Sequence, residues 1–322
     1  MRRPPSPRRL LAAAVVALSV VSTGCGTTTY GPAAPPSGRV SSSEASRTPS
    51  TAPSPSTHRT DTAKDAPVVL IVLENHEYSS VVGSGDASFI NDTLIPEGTL
   101  FTDYFAVSHP SLPNYLAMTS GSTQGMQGTD AVSSGQVASD NLFHQLSSAG
   151  VGWRAYQETM PAACYAPYSA GSAPGDYALK HDPAMTYADV ARSALCRNVV
   201  PYTRLDPHHL PPFSFVTPNE CNDMHSCPVQ VGDGWLRTIV PSLIHAGAIV
   251  LVTFDEGSTG VGGGGHVMLV EVGAGVRAGS RDTGRVDHYG LLAGIEEYFG
   301  VPKLGAARSA RPVALPTERG AG

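Results

Sequence analysis

Two apolar runs, residues 67–73 and 248–254, the second interrupted only by Thr253, constrain this chain more than any other feature. A run of that length with no polar alternation predicts a strand buried on both faces. Weaker strand signals lie at 99–105, 151–156, 213–216 and 266–272. Helical patterns fall between them. Leu116–Ser120 is stopped by Gly121, and residues 141–146 read as a turn or two of helix. Trp235, Ile239, Leu243 and Ile244 recur at helical spacing, and Leu291, Leu292, Ile295, Tyr298 and Phe299 form an amphipathic set stopped by Gly300. Alternating strands and helices predict an α/β sheet covered on both sides. Residues 161–212 read as loops around it.

The flanks differ in composition. Residues 26–66 are Pro, Ser, Thr and Ala with almost no large apolar side chain, and predict a disordered linker. A flexible tail is expected over 303–322, leaving 67–302 as the folded domain. The first 25 residues read as an export signal. Arg2, Arg3, Arg8 and Arg9 precede an apolar stretch, Leu10 to Ser22, too short to span a membrane as a mature helix. Ser22-Thr23-Gly24-Cys25 resembles a bacterial lipoprotein signal, in which Cys25 is lipidated and anchors the protein to a membrane. An ordinary secretory signal cleaved nearby is the alternative. Either way the expected location is outside the cytoplasm, as a cell-surface lipoprotein or a secreted protein.

Cysteine usage agrees with export. Setting Cys25 aside leaves four of the five: Cys164, Cys196, Cys221 and Cys227. An even set in an exported domain predicts two disulfides. Of three connectivities, Cys164–Cys196 with Cys221–Cys227 closes loops local in sequence and is preferred. A zinc site is disfavoured because no CxxC pair occurs. The net charge of −6, with no Lys/Arg run beyond the N-terminus, argues against a nucleic-acid partner.

Chemistry-bearing residues gather where strands end. The first buried run leads into Glu74-Asn75-His76-Glu77, the 213–216 strand into Thr217-Pro218-Asn219, and the last run into Asp255-Glu256-Gly257. In open α/β sheets ligands lie beyond the carboxyl ends of strands, so Glu74, Asn75, Asp255 and Glu256 are expected in one crevice. Four oxygen-type ligands suit a hard or borderline divalent cation. Singly, each acidic pair also fits a solvated turn or a cap.

Ser108-His109-Pro110-Ser111-Leu112-Pro113-Asn114-Tyr115 lies between a strand and a helix, and Pro113 suits the helix's first turn. Ser111 is then at a helix N-terminus, where unpaired N–H groups favour an anion and a serine can attack phosphorus. The alternative is a serine N-cap. Gly262-Gly263-Gly264-Gly265 either forms a flexible loop or lets His266 reach a phosphate or metal. In the loop 219–227, Asp223 and His225 either face a ligand or bond only their own turn. Asp287-His288 reads as a helix cap.

Together the Leu-Glu-Asn after the first strand, the His-Pro-Ser-Leu-Pro-Asn-Tyr, the Thr-Pro-Asn-Glu-Cys-Asn-Asp-Met-His and the Thr-Phe-Asp-Glu-Gly carry a resemblance. Over residues 68–301 the chain resembles the phosphoesterase family of bacterial acid phosphatases and phospholipases C, within the alkaline phosphatase superfamily. Secreted acid phosphatases, some described as phosphatidylinositol-3-phosphatases, are the most similar group. The resemblance implies a mostly parallel, alkaline-phosphatase-like sheet with helices on both faces. It also implies a metal at Glu74, Asn75, Asp255 and Glu256, with Ser111 as nucleophile. His109 and His266 would contact phosphate or move protons. Asn114, Asn219, Asp223 and His225 are candidate substrate-binding residues. Tyr115 stands where sulfatases carry arginine, and Asp255-Glu256 replaces the Asp-His pair of two-zinc relatives. The expected activity is phosphomonoester hydrolysis on a phosphorylated small molecule or a phospholipid headgroup. Phospholipase C activity and an inert phosphoryl-binding lipoprotein are the alternatives.

Overall fold

In the computed structural model, which describes residues 66–166, 173 and 175–317, the two apolar runs lie side by side at the centre of one sheet. Ten strands occur among the described residues: β1 (Val68–Leu73), β2 (Thr99–Phe101), β3 (Tyr104–Phe105), β4 (Trp153–Gln157), β5 (Val199–Pro201), β6 (Phe213–Thr217), β7 (Ile249–Phe254), β8 (Leu269–Gly273), β9 (Ser280–Asp282) and β10 (Val286–Asp287). Eight form the main sheet in the order β5-β4-β6-β1-β7-β8-β2-β9, and β10 pairs with β3 in a small separate ribbon. Only the pairings of β8 with β7 and with β2 are antiparallel, so the sheet is mostly parallel, as expected. Every residue of β1 and β7 is buried. Successive side chains of a strand point to opposite faces, so complete burial means that both faces are covered.

The covering helices are α1 (Ser111–Ser120), α2 (Leu142–Ser148), α3 (Val229–His245) and α4 (His288–Phe299). α1 packs on α4 and α2, whereas α3 packs on β7 and β8. Gly121 and Gly300 end α1 and α4 with φ of 67° and 68°, a left-handed turn that glycine adopts without a Cβ clash. Asp287 caps α4 by accepting from the Gly290 N–H, as its position in the sequence suggests.

Two sequence expectations are corrected. The run at 99–105 is not one strand: β2 and β3 are separated by Thr102-Asp103 and enter different sheets. The chain beyond 302 is not a loose tail as far as residue 317. Ala307 and Val313 are fully or nearly fully buried, Ala306 N–H donates to the Gly121 carbonyl, and Val313 N–H donates to the Gly290 carbonyl. The export signal, Cys25 and nearly all of the linker lie outside the described residues.

Both disulfides form with the expected pairing, Cys164–Cys196 and Cys221–Cys227. Titration of the denatured, unreduced chain from residue 66 onward should therefore find no reactive thiol, and two or more would contradict the pairing. Each bridge should contribute about 2–5 kcal/mol.

Glu271, on β8, is 3% exposed, and burial pushes its carboxyl up to about 8. The folded chain holds this proton to about pH 8, while the unfolded chain releases it near the ordinary 4.5. Stability is thus full below that lower value and falls as pH rises through the window, by at most about 1.4 kcal/mol per pH unit. Glu271→Gln imitates the protonated form, so its melting temperature should exceed the parent's by a margin that widens from pH 5 to pH 8. A constant margin in thermal scans would count against this.

Candidate active site

The register of the two central strands builds the site. Leu73 is paired with Phe254, and Asp255 N–H donates to the Leu73 carbonyl, so Glu74 and Asp255 leave the sheet as neighbours. Both are fully buried. Asn75 turns away with φ of 64°, a left-handed conformation that asparagine tolerates, and its N–H donates to Asp255 Oδ1 at 3.1 Å. Behind Asp255, the buried His288 has Nε2 at 2.5 Å from the Asp255 carbonyl and Nδ1 at 2.7 Å from the Tyr104 hydroxyl.

Ser111 is the first residue of α1, whose N-cap is Pro110 after a cis His109–Pro110 bond. Its hydroxyl does not cap the helix. It donates to Glu74 Oε2 at 2.8 Å and lies 3.4 Å from Glu256 Oε1. One turn on, the Tyr115 hydroxyl donates to Glu74 Oε1 at 2.6 Å. The Leu112 N–H at this helix end is taken by Asp130 Oδ1 at 3.0 Å.

His109 faces Glu256 across the crevice, with Nδ1 at 2.5 Å from Glu256 Oε2 and Nε2 at 2.9 Å from the Thr259 carbonyl. Burial alone would lower its pKa, but the Thr259 carbonyl and the Glu256 carboxylate raise it above the ordinary value. The glycine-rich segment that supplies Thr259 is packed, not loose. A Cβ on Gly264 would stand 2.3 Å from the Ser108 carbonyl, so only glycine lets this loop lie against the strand-to-helix connection.

A third wall comes from residues 219–227 and from a segment without a strong sequence signal. Glu74 N–H donates to the Asp223 carbonyl at 2.8 Å. The buried His181 ring has Nε2 at 3.2 Å from Glu74 Oε1, and its Nδ1 lies 3.4 Å from Asp223 Oδ2 and 3.6 Å from Glu220 Oε1. His225 Nδ1 lies 2.9 Å from Glu220 Oε2, and its Nε2 is 3.2 Å from Lys180 Nζ. His181, Lys180 and Glu220 escaped the sequence reading. The first two sit in a long insertion, and the only local hint was Lys-His-Asp-Pro ahead of a short helix.

The site is short of positive charge. Burial, followed by the charges of Asp255 and Asp223, drives the Glu74 carboxyl well up. Burial raises Asp255 to about 6 and Asp223 to about 8, and burial together with Asp255 raises Glu256 to about 7. His181 is pushed down to about 3 by burial and by Lys180, so its ring is neutral. Asp255 Oδ2, Asp223 Oδ2, Glu220 Oε1 and His181 Nε2 are buried without a hydrogen-bond partner. Orphaned carboxylate oxygens beside a neutral imidazole are the donor set that a divalent cation takes. No three of these donor atoms come within 4.8 Å of one another. The one trio that does, among the described residues, is Asp140, His144 and Asp189, which is part of a different surface region and largely exposed.

Three sequence candidates stand apart from the reactive cluster. Asn114 is spent on structure: Oδ1 accepts from the Val107 and Ser108 N–H groups, and Nδ2 donates to the Ser108 and Pro110 carbonyls. Asn219 Oδ1 accepts from the Cys221 and Asn222 N–H groups and so shapes its own turn. His266 is stacked between Tyr78 and Phe105, with Nε2 3.1 Å from the Thr102 carbonyl, and has no contact with Ser111 or its carboxylates. Asp223 and His225 do both things at once: Asp223 Oδ1 accepts from the His225 N–H within the turn, while their remaining atoms face the cluster.

Comparison with known proteins places the chain in a family. The chain is 34% identical over 259 residues to a phosphatidylinositol-3-phosphatase of Mycobacterium tuberculosis, covering 77% of this chain and 81% of that one. It is 32% identical to a phosphate-repressible acid phosphatase of Penicillium chrysogenum, covering 74% of this chain and 60% of that protein. The lipoteichoic acid synthase LtaP from Listeria monocytogenes shares the fold, with a TM-score of 0.51, 8% identity and 77% of each chain covered. A model of the Phosphoesterase family matches residues 84–302. By that match and by the mycobacterial relative, the chain belongs to the Phosphoesterase family.

Proposed function

We propose that this protein is an exported, metal-dependent phosphomonoesterase that works through a phosphoserine intermediate. The observation that carries the reading is the Ser111 hydroxyl, 2% exposed as a residue, donating at 2.8 Å to a buried carboxylate where two strand ends meet. A structural serine at a helix start would cap the helix, and this one does not. The names of the mycobacterial and fungal relatives support phosphomonoesters as the substrate class, with phosphoinositides among them. The two disulfides support export.

In the reaction, Ser111 Oγ bonds to phosphorus as the ester bond to the leaving oxygen breaks, and Glu74 accepts the serine proton. His109, with a raised pKa and a side chain 40% exposed, is the group that protonates the leaving oxygen in place of His266. Water then attacks the phosphoserine and frees inorganic phosphate. Glu74, Asn75, Asp255 and Glu256 would hold the metal, with Asp223 and His181 beside them. A bound divalent cation would supply charge for the phosphoryl oxygens and lower the pKa of the hydroxyl.

A panel of a simple phosphomonoester, phosphatidylinositol 3-phosphate and phosphatidylcholine should show hydrolysis of the first two, lost with chelator and restored by added divalent metal. Cleavage of phosphatidylcholine instead would make this a phospholipase C. No hydrolysis by metal-replete protein would make it a binder.

The roles of serine and carboxylate separate by metal content. Ser111→Ala should lower turnover about a thousandfold or more while retaining most of the metal, whereas Asp255→Asn should lose metal and turnover together. Bound metal and turnover measured on both variants test this. Substantial turnover in Ser111→Ala with metal retained would make a water the attacking group.

A further inference from the structure

The chain has three lysines, Lys64, Lys180 and Lys303. Lys303 pairs with Glu297 at the surface, whereas Lys180 is buried beside the reactive cluster with only 10% of its side chain exposed. Fully burying a lysine is rare unless its charge is used. Glu74, Asp255, Glu220 and Asp130 all act on it electrostatically, and outweigh the burial that would lower its pKa. No described arginine forms an ion pair with a carboxylate of the cluster. A phosphomonoester, itself an anion, must approach a crevice lined by Glu74, Asp223, Asp255 and Glu256, and Lys180 is the lysine whose ammonium lies beside those carboxylates.

The placement of the ammonium suits contact better than mere neutralisation. Its neighbours are Asp130 Oδ2 at 3.5 Å and His225 Nε2 at 3.2 Å, both on partly exposed residues. An ammonium has three N–H bonds, and these partners leave one unused. Asp130 holds the Leu112 N–H with its other oxygen, so Lys180 is one carboxylate away from the residue that follows Ser111. A carboxylate therefore occupies the Leu112 N–H at this helix end, and Lys180 stands beside it as a further, charged donor.

We propose that Lys180 is a substrate-binding residue whose free N–H takes a non-bridging oxygen of the phosphoryl group brought to Ser111. This rests on the phosphomonoesterase reading for the identity of the substrate, but the contact with phosphate is measured without turnover.

Inorganic phosphate is the probe. Calorimetric titration of metal-replete protein should show Lys180→Met binding phosphate about 10- to 100-fold more weakly than the parent, with metal content and melting temperature little changed. KM for a simple phosphomonoester should rise by a similar factor with kcat less affected, and Lys180→Arg should recover part of the affinity. Unchanged phosphate affinity in folded, metal-loaded Lys180→Met would overturn the proposal. Reductive methylation of the unaltered protein decides the matter if that variant does not fold. Phosphate should slow modification of Lys180 and leave Lys303 unaffected, and a Lys180 that phosphate fails to protect, or that never reacts, overturns it too. A parent that binds phosphate through Lys180 yet hydrolyses no phosphomonoester would sink the functional reading and leave the lysine's role standing.

Discussion

Side-by-side burial of two like charges is the constraint that the rest of the structure answers. β1 and β7 are paired along their whole length, so the residues that follow them, Glu74 and Asp255, emerge as neighbours in the driest part of the sheet. Carboxylates brought together out of water resist ionisation, and their raised pKa values express that resistance. Each surrounding element supplies a donor or a prop. Ser111 and Tyr115 come from α1, the Asn75 N–H from the left-handed turn, and His288 from the start of α4. The protein alone leaves the account open at Asp255 Oδ2 and Asp223 Oδ2.

Much of this was legible in the chain because it depends on local signals. Continuous apolar runs reported the buried strands, and the acidic pairs after them marked the strand ends where Glu74, Asp255 and Ser111 come together. Ser111 and His109 were marked by Pro110 and Pro113 around a strand-to-helix turn. The cysteine spacing marked both bridges. What could not be read was long-range pairing. His181 and Lys180 reach the cluster from an insertion that reads as loop, and nothing near them in sequence announces a partner more than a hundred residues before. The converse case has the same origin. Asn114 and His266 are polar residues next to motifs, yet the first is consumed by backbone groups of its own turn and the second by two aromatic rings.

The packing of the C-terminal residues shows how composition misleads at domain edges. Residues 303–317 are rich in small and polar types, but a few apolar side chains at the right spacing suffice to dock them. Gly121, Gly290 and Gly294 make this possible, since a Cβ at each would stand 2.0–2.4 Å from a carbonyl of the docked segment. The closing segment is thereby seated on the far end of α1 and along α4 from its first turn, the helices whose first residues serve the crevice.

The six-residue closure between Cys221 and Cys227 places a covalent clasp around Asp223 and His225. The Asp223 carbonyl holds the Glu74 N–H, and the Asp223 side chain faces His181. The clasp therefore fixes the position of this wall of the crevice as well as adding to the durability of the fold. In a reducing compartment the same chain carries every reactive group but lacks the covalent tie that sets this wall of the crevice.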